Sequence, residues 1–316
     1  MRVLAIDGGG IRGIIPAIVL ADLEARTGKA VVDLVDLIAG TSTGAILACA
    51  LARPGDDAAA PRFSAAELVQ LYVEEGPHIF DRDLLKRIRS GNGLLDERYD
   101  DDGLRAALDR YLGDTRISEA RTDVFLTAYE LEGRFAFFFR SSRARTQGDY
   151  DFTMADAAHA SSAAPTYFEP IRVTDAIGRK TYTLVDGGVF ATNPSMCALA
   201  EVSRAGAAPG IDLLLSLGTG AQAAPIRYDD AKGWGQLEWA PRIVDVVFDG
   251  VAETVDFEAA QLLGDRYVRL QTALTGAAEG LDDASAKNLA ALRRIGEKLV
   301  ADRAADLDRV AQILLS

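Results

Sequence analysis

Two apolar patterns alternate along the chain. Short runs at Val3–Ile6, Val35–Ala39 and Ile211–Leu217 are too brief for helices and predict strands, the second and third buried on both faces. Between them apolar residues recur at helical spacing. Ile15, Ile18, Val19 and Leu23 mark a helix that tolerates Pro16 in its first turn and ends near Arg26, where Gly28 stops it. Thr43–Leu51 predicts a second helix. Ser64-Ala65-Ala66-Glu67 reads as a capping box ahead of Leu68, Leu71 and Tyr72. A polar, turn-rich stretch from Asp81 to Tyr99 precedes a helix at about Gly103 to Leu112. Val124–Tyr129 and Phe135–Phe139, split by Glu130–Arg134, predict an antiparallel hairpin whose aromatic run is a core strand. Beyond it come an Ala-rich helix over Thr153–Ala164, a strand at Tyr182–Val185 and a helix opened by Asn193-Pro194. A loop carrying Trp234 and Trp239 leads to a long helix from about Pro241 to Leu263, with Val244, Val247, Val251 and Val255 in register. A strand at Tyr267–Leu270 and two C-terminal helices complete the chain. Strands separated by helices predict an α/β fold with a mostly parallel sheet and helices on both sides. No repeat, low-complexity tail or linker divides the chain, so one domain over residues 1–316 is expected, its C-terminal helices (241–316) packing on the same body.

Composition narrows the function classes. With 49% hydrophobic and 26% charged residues over 316 positions, the chain has the make-up of a soluble globular protein. No run reaches the length of a membrane span. Met1–Ile6 is cut off at once by Asp7-Gly8-Gly9-Gly10, too early for a signal peptide, and reads as the first strand of a cytoplasmic protein. A net charge of −13 argues against a nucleic-acid groove and against electrostatic docking to anionic lipid, while leaving room for local apolar insertion into a membrane. Cys49 and Cys197 fall among apolar neighbours and read as buried thiols rather than a disulfide. Two histidines, His78 and His159, are little material for a metal site. Asp100, Asp101 and Asp102 invite a calcium reading, but setting Gly103 at the sixth loop position puts Arg98 at the first ligand position, so a solvated helix N-terminus is the expectation.

Three glycine-rich turns follow strands: Asp7–Gly13, Gly40-Thr41-Ser42-Thr43-Gly44 and Asp186-Gly187-Gly188. The middle one has the grammar of a nucleophile elbow, a sharp strand-to-helix turn that presents a serine oxygen to the helix N-terminus. Taken alone it also fits an ordinary strand–loop–helix corner. In an open α/β sheet the three turns can share the crevice at the strands' carboxyl ends. There Ser42 is a candidate nucleophile, the amides of Gly8, Gly9 and Gly10 a candidate oxyanion nest, and Asp186 a candidate base. No histidine follows His159, so the order of an α/β-hydrolase triad is impossible. His159 reads as a partly buried polar residue and His78 as a surface or capping residue. If Ser42 is activated, a carboxylate must take its proton, which requires a direct hydrogen bond in a dry site.

Asp7-Gly8-Gly9-Gly10-Ile11-Arg12-Gly13, Gly40–Gly44, Ala160-Ser161-Ser162-Ala163-Ala164-Pro165 and Asp186-Gly187-Gly188 resemble, in this order, the four signature blocks of patatin-like phospholipases. Gly218-Thr219-Gly220 and Ala231-Lys232-Gly233-Trp234-Gly235 also look like bacterial members. The resemblance implies a three-layer α/β/α fold and calcium-independent hydrolysis of acyl esters by a Ser–Asp dyad, with no metal and no cofactor. It assigns Ser42 as nucleophile, Asp186 as general base and Gly8, Gly9, Gly10 and Arg12 as the oxyanion and anion-binding turn. Gly40, Gly44, Gly187 and Gly188 support the motifs. It implies a phospholipid or lysophospholipid substrate met at a membrane or micelle by transient, peripheral contact. Arg12 has two readings, a bidentate grip on a lipid phosphate or a structural ion pair. Trp234, Leu237 and Trp239 are candidates for an apolar rim.

Two other classes compete. Gly8-x-Gly10-x-x-Gly13 matches a dinucleotide-binding fingerprint, though it accounts for neither Ser42 nor Asp186; a Walker loop is excluded by Ile14 and Ile15. An acyltransferase or a catalytically idle binding protein could share the fold, and the intact Ser42 and Asp186 argue against idleness.

Overall fold

A computed structural model describes residues 1–57, 59–80, 101–204 and 210–316, with backbone alone at 101, 236, 237, 240 and 241. The turn-rich stretch expected from Asp81 to Tyr99, and Asp100 beyond it, lie outside the described residues. The first apolar run forms β1 (Arg2–Ile6), and α1 (Ile14–Thr27) ends where Gly28 takes the left-handed conformation at φ 66°. β2 (Leu37–Gly40) leads straight into α2 (Thr43–Ala52). α3 (Ala65–Ile79) opens with the expected box, Ser64 N–H donating to Glu67 Oε2 at 2.8 Å. α4 (Asp101–Leu112) precedes the hairpin of β3 (Asp123–Glu130) and β4 (Phe135–Arg140). Next come α5 (Met154–Ser162), β5 (Ile171–Thr174) and β6 (Thr181–Asp186), then α6 (Ser195–Arg204) and β7 (Leu213–Leu217). α7 (Gln236–Leu263), β8 (Tyr267–Leu270), α8 (Ala286–Asp302) and α9 (Ala304–Leu315) close the chain.

The strands form one eight-stranded mixed sheet, and the fold is α/β with mostly parallel strands. β8, β7, β1, β2 and β3 run parallel as neighbours, and β4 pairs antiparallel with β3. Successive residues of a strand face opposite sides, and β1 splits accordingly. Leu4 and Ile6 enter the larger core with residues of α1, α2, α3, α5, α8 and α9, while Val3 and Ala5 join Ala198 and Val202 of α6 and Ala259 and Leu263 of α7. The three expected layers follow from that alternation.

Two features depart from the expected arrangement. β5 lies outside the strands expected from the sequence, because Ile171-Arg172-Val173-Thr174 is short and alternates like an exposed edge; among the described residues it pairs only with β6. The long helix starts at Gln236 rather than near Pro241, which moves Trp239 from a loop onto α7.

β3 is the strand that positions the site. Its first half pairs with β2, Gly40 opposite Leu126. Its second half pairs antiparallel with β6, Asp186 opposite Ala128. β2 therefore stops where β6 arrives from the other direction, and the two chain ends meet head to head.

Candidate active site

Ser42 sits at the point where β2 turns into α2, with φ 55° and ψ −123°, a conformation L-residues rarely adopt. The turn is that sharp because β2 must reverse into α2 against β1: a Cβ on Gly44 would lie 2.1 Å from the Ile6 carbonyl oxygen. Hydrogen bonds hold the turn from three sides. Ser42 N–H donates to Ser161 Oγ at 2.9 Å, and the Thr41 hydroxyl donates to the Ala191 carbonyl at 2.6 Å. The Ser42 carbonyl in turn accepts from Ala45 N–H at 2.8 Å, starting the helix. Ser161 comes from the third glycine- and alanine-rich block. The sequence showed that block without showing that its first serine braces the elbow.

Asp186, at the end of β6, is 1% exposed. Its amide donates to the Ala163 carbonyl at 2.9 Å, and its Oδ1 accepts from Gly188 N–H at 2.7 Å. The Ser42 side chain faces the same carboxylate closely enough to favour its charged form. Burial pushes the Asp186 pKa up to about 7, against the pull of the Ser42 hydroxyl and the Gly188 amide, which favour the anion. The glycine after next is thus the donor that lets a carboxylate exist at this depth, and Gly187 supplies the turn between them.

The first glycine turn leaves β1 beside Ser42. Asp7 is clamped bidentately by Arg269 of β8, at 2.9 and 2.6 Å, and Arg269 also donates to Ser216 Oγ at 2.8 Å. The Gly8 amide is engaged by the Thr192 carbonyl at 2.9 Å. The nest expected from three amides is therefore narrower: among the described residues, those of Gly9 and Gly10 have no protein acceptor. Gly10 takes φ 57°, and a Cβ there would strike the Leu281 carbonyl oxygen at 2.2 Å.

Arg12 is held by two backbone carbonyls. Its Nε donates to the Gly9 carbonyl at 3.2 Å and its Nη1 to the Glu279 carbonyl at 3.4 Å. Arg12 N–H donates to the same Gly9 oxygen at 3.1 Å. Within one planar peptide the carbonyl and the following N–H point in opposite directions. Fixing the Gly9 oxygen therefore fixes the direction of the Gly10 N–H. Burial lowers the Arg12 pKa, while Asp249 and Asp245 favour its charged form.

These groups open onto one pocket, with about 740 Å³ of atom-free space counting its mouth. Gly8, Gly9, Gly10, Ser42, Asp186 and Gly188 all line it, so the structure brings together the predicted serine, aspartate and glycines. The rest of the wall is mainly apolar, from Ile46, Leu71, Phe168, Phe248, Leu281 and their neighbours, and no Lys, Arg or His lines it among the described residues. The Ser162 hydroxyl lines it too, buried and without a hydrogen-bond partner among the described residues. Trp234 and Trp239 do not line it; they pack edge to face on each other with ring centroids 5.1 Å apart. The side chain of Leu237 lies outside the described residues. His159 is buried on α5 and His78 is exposed near the end of α3, both away from the pocket.

A family model described as Patatin-like phospholipase matches residues 4–199. Patatin-like protein 2 of Arabidopsis thaliana is 33% identical over 340 residues, covering 95% of this chain and 83% of its own length. Patatin-15 of Solanum tuberosum is 33% identical over 331 residues, with 95% and 83% covered. A protein of the same plant named Probable inactive patatin-3-Kuras 1 is 31% identical over 330 residues, with 95% and 86% covered. Since one relative bears that name, similarity along the chain does not separate active from idle proteins, and the site must.

The strain at Ser42 is measurable. Replacement by glycine relieves a conformational cost of about 1–3 kcal/mol and adds less than about 1 kcal/mol of unfolded-chain entropy. Ser42→Gly should thus unfold at higher urea than Ser42→Ala, which keeps the Cβ. A glycine variant less stable than the alanine variant would show that the turn stores no strain.

Proposed function

This chain belongs to the patatin-like phospholipase family, and on that premise we propose that it is a serine acyl-ester hydrolase releasing fatty acids from phospholipids or lysophospholipids. Membership supports a lipid acyl hydrolase at the level of the family. The observation that carries the finer reading is that Ser42 and a buried Asp186, whose charged form the serine side chain favours, share the wall of one apolar pocket.

The chemistry runs in two halves. Ser42 Oγ attacks the ester carbonyl as its proton passes to Asp186, and the carbonyl oxygen becomes an oxyanion facing the Gly9 and Gly10 amides. The tetrahedral species collapses, the carbon–oxygen bond to the leaving alcohol breaks, and Asp186 returns the proton to that alcohol. Water then repeats the sequence on the acyl-enzyme, with Asp186 again accepting and returning a proton, and frees the fatty acid and Ser42. A base of pKa about 7 suits this task, since half of it is ionised at neutral pH while it stays basic enough to pull on a hydroxyl. General-base assistance contributes roughly 10²–10⁴ in rate and one oxyanion donor about 10²–10³. The apolar wall takes the acyl chain. Arg12 acts as a positioning residue for the Gly9–Gly10 peptide. A dinucleotide reading of the same turn has less support, because a pyrophosphate would meet an apolar wall there and one of the three glycine amides is already bonded.

Ser42→Ala should lose at least about 10⁴-fold in hydrolysis of a short-chain nitrophenyl ester and of mixed phospholipid micelles; equal fatty-acid release by both proteins excludes the nucleophile. The ionised form of Asp186 is the active one, so kcat/KM should rise as pH climbs through about 7 and then level off. A profile flat from pH 5 upward would remove Asp186 as the titrating base. A chelator should leave the rate unchanged.

Arg12→Met tests the positioning role. It should lower kcat on the neutral nitrophenyl ester about 10²-fold with little change in KM. A phosphate-gripping Arg12 would instead leave the neutral ester untouched and raise KM for phospholipid only.

A further inference from the structure

α7 carries apolar residues on two opposite faces. Phe248 lines the pocket from the inner side. On the outer side Trp239, Ile243, Val246 and Val247 follow one another at i, i+4, i+7 and i+8 and so share one face. All four are exposed, Ile243 at 45% and Val247 at 40%. Ile226 and Tyr228, in the segment just before the helix, are more exposed still. An ordinary surface helix buries one apolar stripe and offers a polar one to water. Here the side that faces away from the protein is apolar as well.

We propose that this outer face of α7 is the surface by which the protein seats on a zwitterionic lipid layer, delivering lipid to the pocket on the other side of the same helix. The inference rests on the lipid-hydrolase reading above and adds the docking surface and the lipid charge. Three observations select this occupant. First, a helix is about 10 Å across, so a layer touching Val247 lies one helix width from the Phe248 wall of the acyl pocket. Second, the residue types suit an interface: Trp239 packs edge to face on Trp234, and Arg242 lies 4.6 Å from the centroid of the Trp234 ring. Such aromatic groups prefer the level of lipid head groups. Third, the segment from 226 to 253 carries six carboxylates (Asp229, Asp230, Glu238, Asp245, Asp249, Glu253) against three cations (Arg227, Lys232, Arg242). That balance repels anionic lipid, so attachment depends on apolar contact alone and is shallow and reversible. No described helix is long and apolar enough to cross a membrane.

The test uses the full chain carrying Ser42→Ala, so that lipid is not consumed, in vesicle flotation with and without Ile243→Glu plus Val247→Glu. The parent should float with phosphatidylcholine vesicles and less with phosphatidylglycerol vesicles at low salt. The double substitution should reduce phosphatidylcholine binding by about tenfold or more. With Ser42 intact, the same double substitution should keep hydrolysis of a soluble nitrophenyl ester and lose hydrolysis of vesicle phosphatidylcholine by a similar factor. No flotation of the parent, unchanged binding of the double variant, or a preference for phosphatidylglycerol would each overturn the proposal. So would a parent that sediments as a dimer and a double variant that sediments as a monomer, since a second copy would then cover the face. Absent soluble-ester hydrolysis in the unmutated protein would refute the hydrolase reading separately, leaving the flotation result to stand on its own.

Discussion

A buried carboxylate with no cation against it among the described residues is the constraint on which this site depends. Asp186 sits at 1% exposure, accepts a hydrogen bond from Gly188 N–H, and has the Ser42 side chain beside it favouring the anion. Burial penalises the anion and these two groups only partly offset it, which leaves the group near neutrality rather than in the usual carboxylate range. A guanidinium beside it would hold the anion but also quench it as a base. The chain does place a guanidinium against a buried aspartate one turn away, at Asp7 and Arg269, where the role is to anchor. Two aspartates that end strands thus have opposite environments, one neutralised and fixed, the other poised.

How the serine reaches that carboxylate is a matter of sheet register. β3 serves β2 with its first half and β6 with its second, so a parallel and an antiparallel neighbour abut along one strand. β2 leaves the sheet at Gly40, and Asp186 enters two residues further along β3, opposite Ala128. The elbow at Ser42 then has only a short step to make. Its bracing comes from elements that are distant in sequence: Ser161 at the end of α5, Ala191 after β6, and Thr192, whose carbonyl holds the neighbouring Gly8. The strained serine persists because the surroundings over-determine it.

Much of this was legible in the sequence, and the losses have physical reasons. Apolar runs gave the parallel strands because burial on both faces leaves few polar positions, and Gly28, Ser64 and Glu67 marked helix ends because their chemistry is local. The four glycine- and alanine-rich blocks gave the serine, the aspartate and the turn. Strand direction was not legible: Tyr182–Val185 reads the same whether β6 runs with or against β3. Nor was the state of each amide, since the bond from Gly8 to Thr192 spans residues far apart in the chain. Arg12 was expected to meet an anion, as a charged side chain near a glycine turn commonly does; it meets carbonyls because it is buried with the loop at Glu279 folded over it. The long helix starts at Gln236, ahead of Pro241, which moves Trp239 from the expected loop onto the outer apolar face.

The fate of the arginines bears on what the site can recognise. Arg12 is engaged by two backbone carbonyls and Arg269 by Asp7 and Ser216, so the guanidiniums that brace the glycine turn act on protein geometry. Among the described residues no cation lines the pocket. Positive charge is thus absent from the wall where a head-group phosphate would need it and scarce on the helix that covers it. Under the proposed function, recognition by such a surface runs through apolar area, on the inner face of α7 for an acyl chain and on its outer face for the layer that supplies it. The net charge of −13, which by itself only disfavours anionic partners, fits the same logic. On the same proposal it disfavours charged membranes and leaves the apolar faces of one helix to decide where the protein lands.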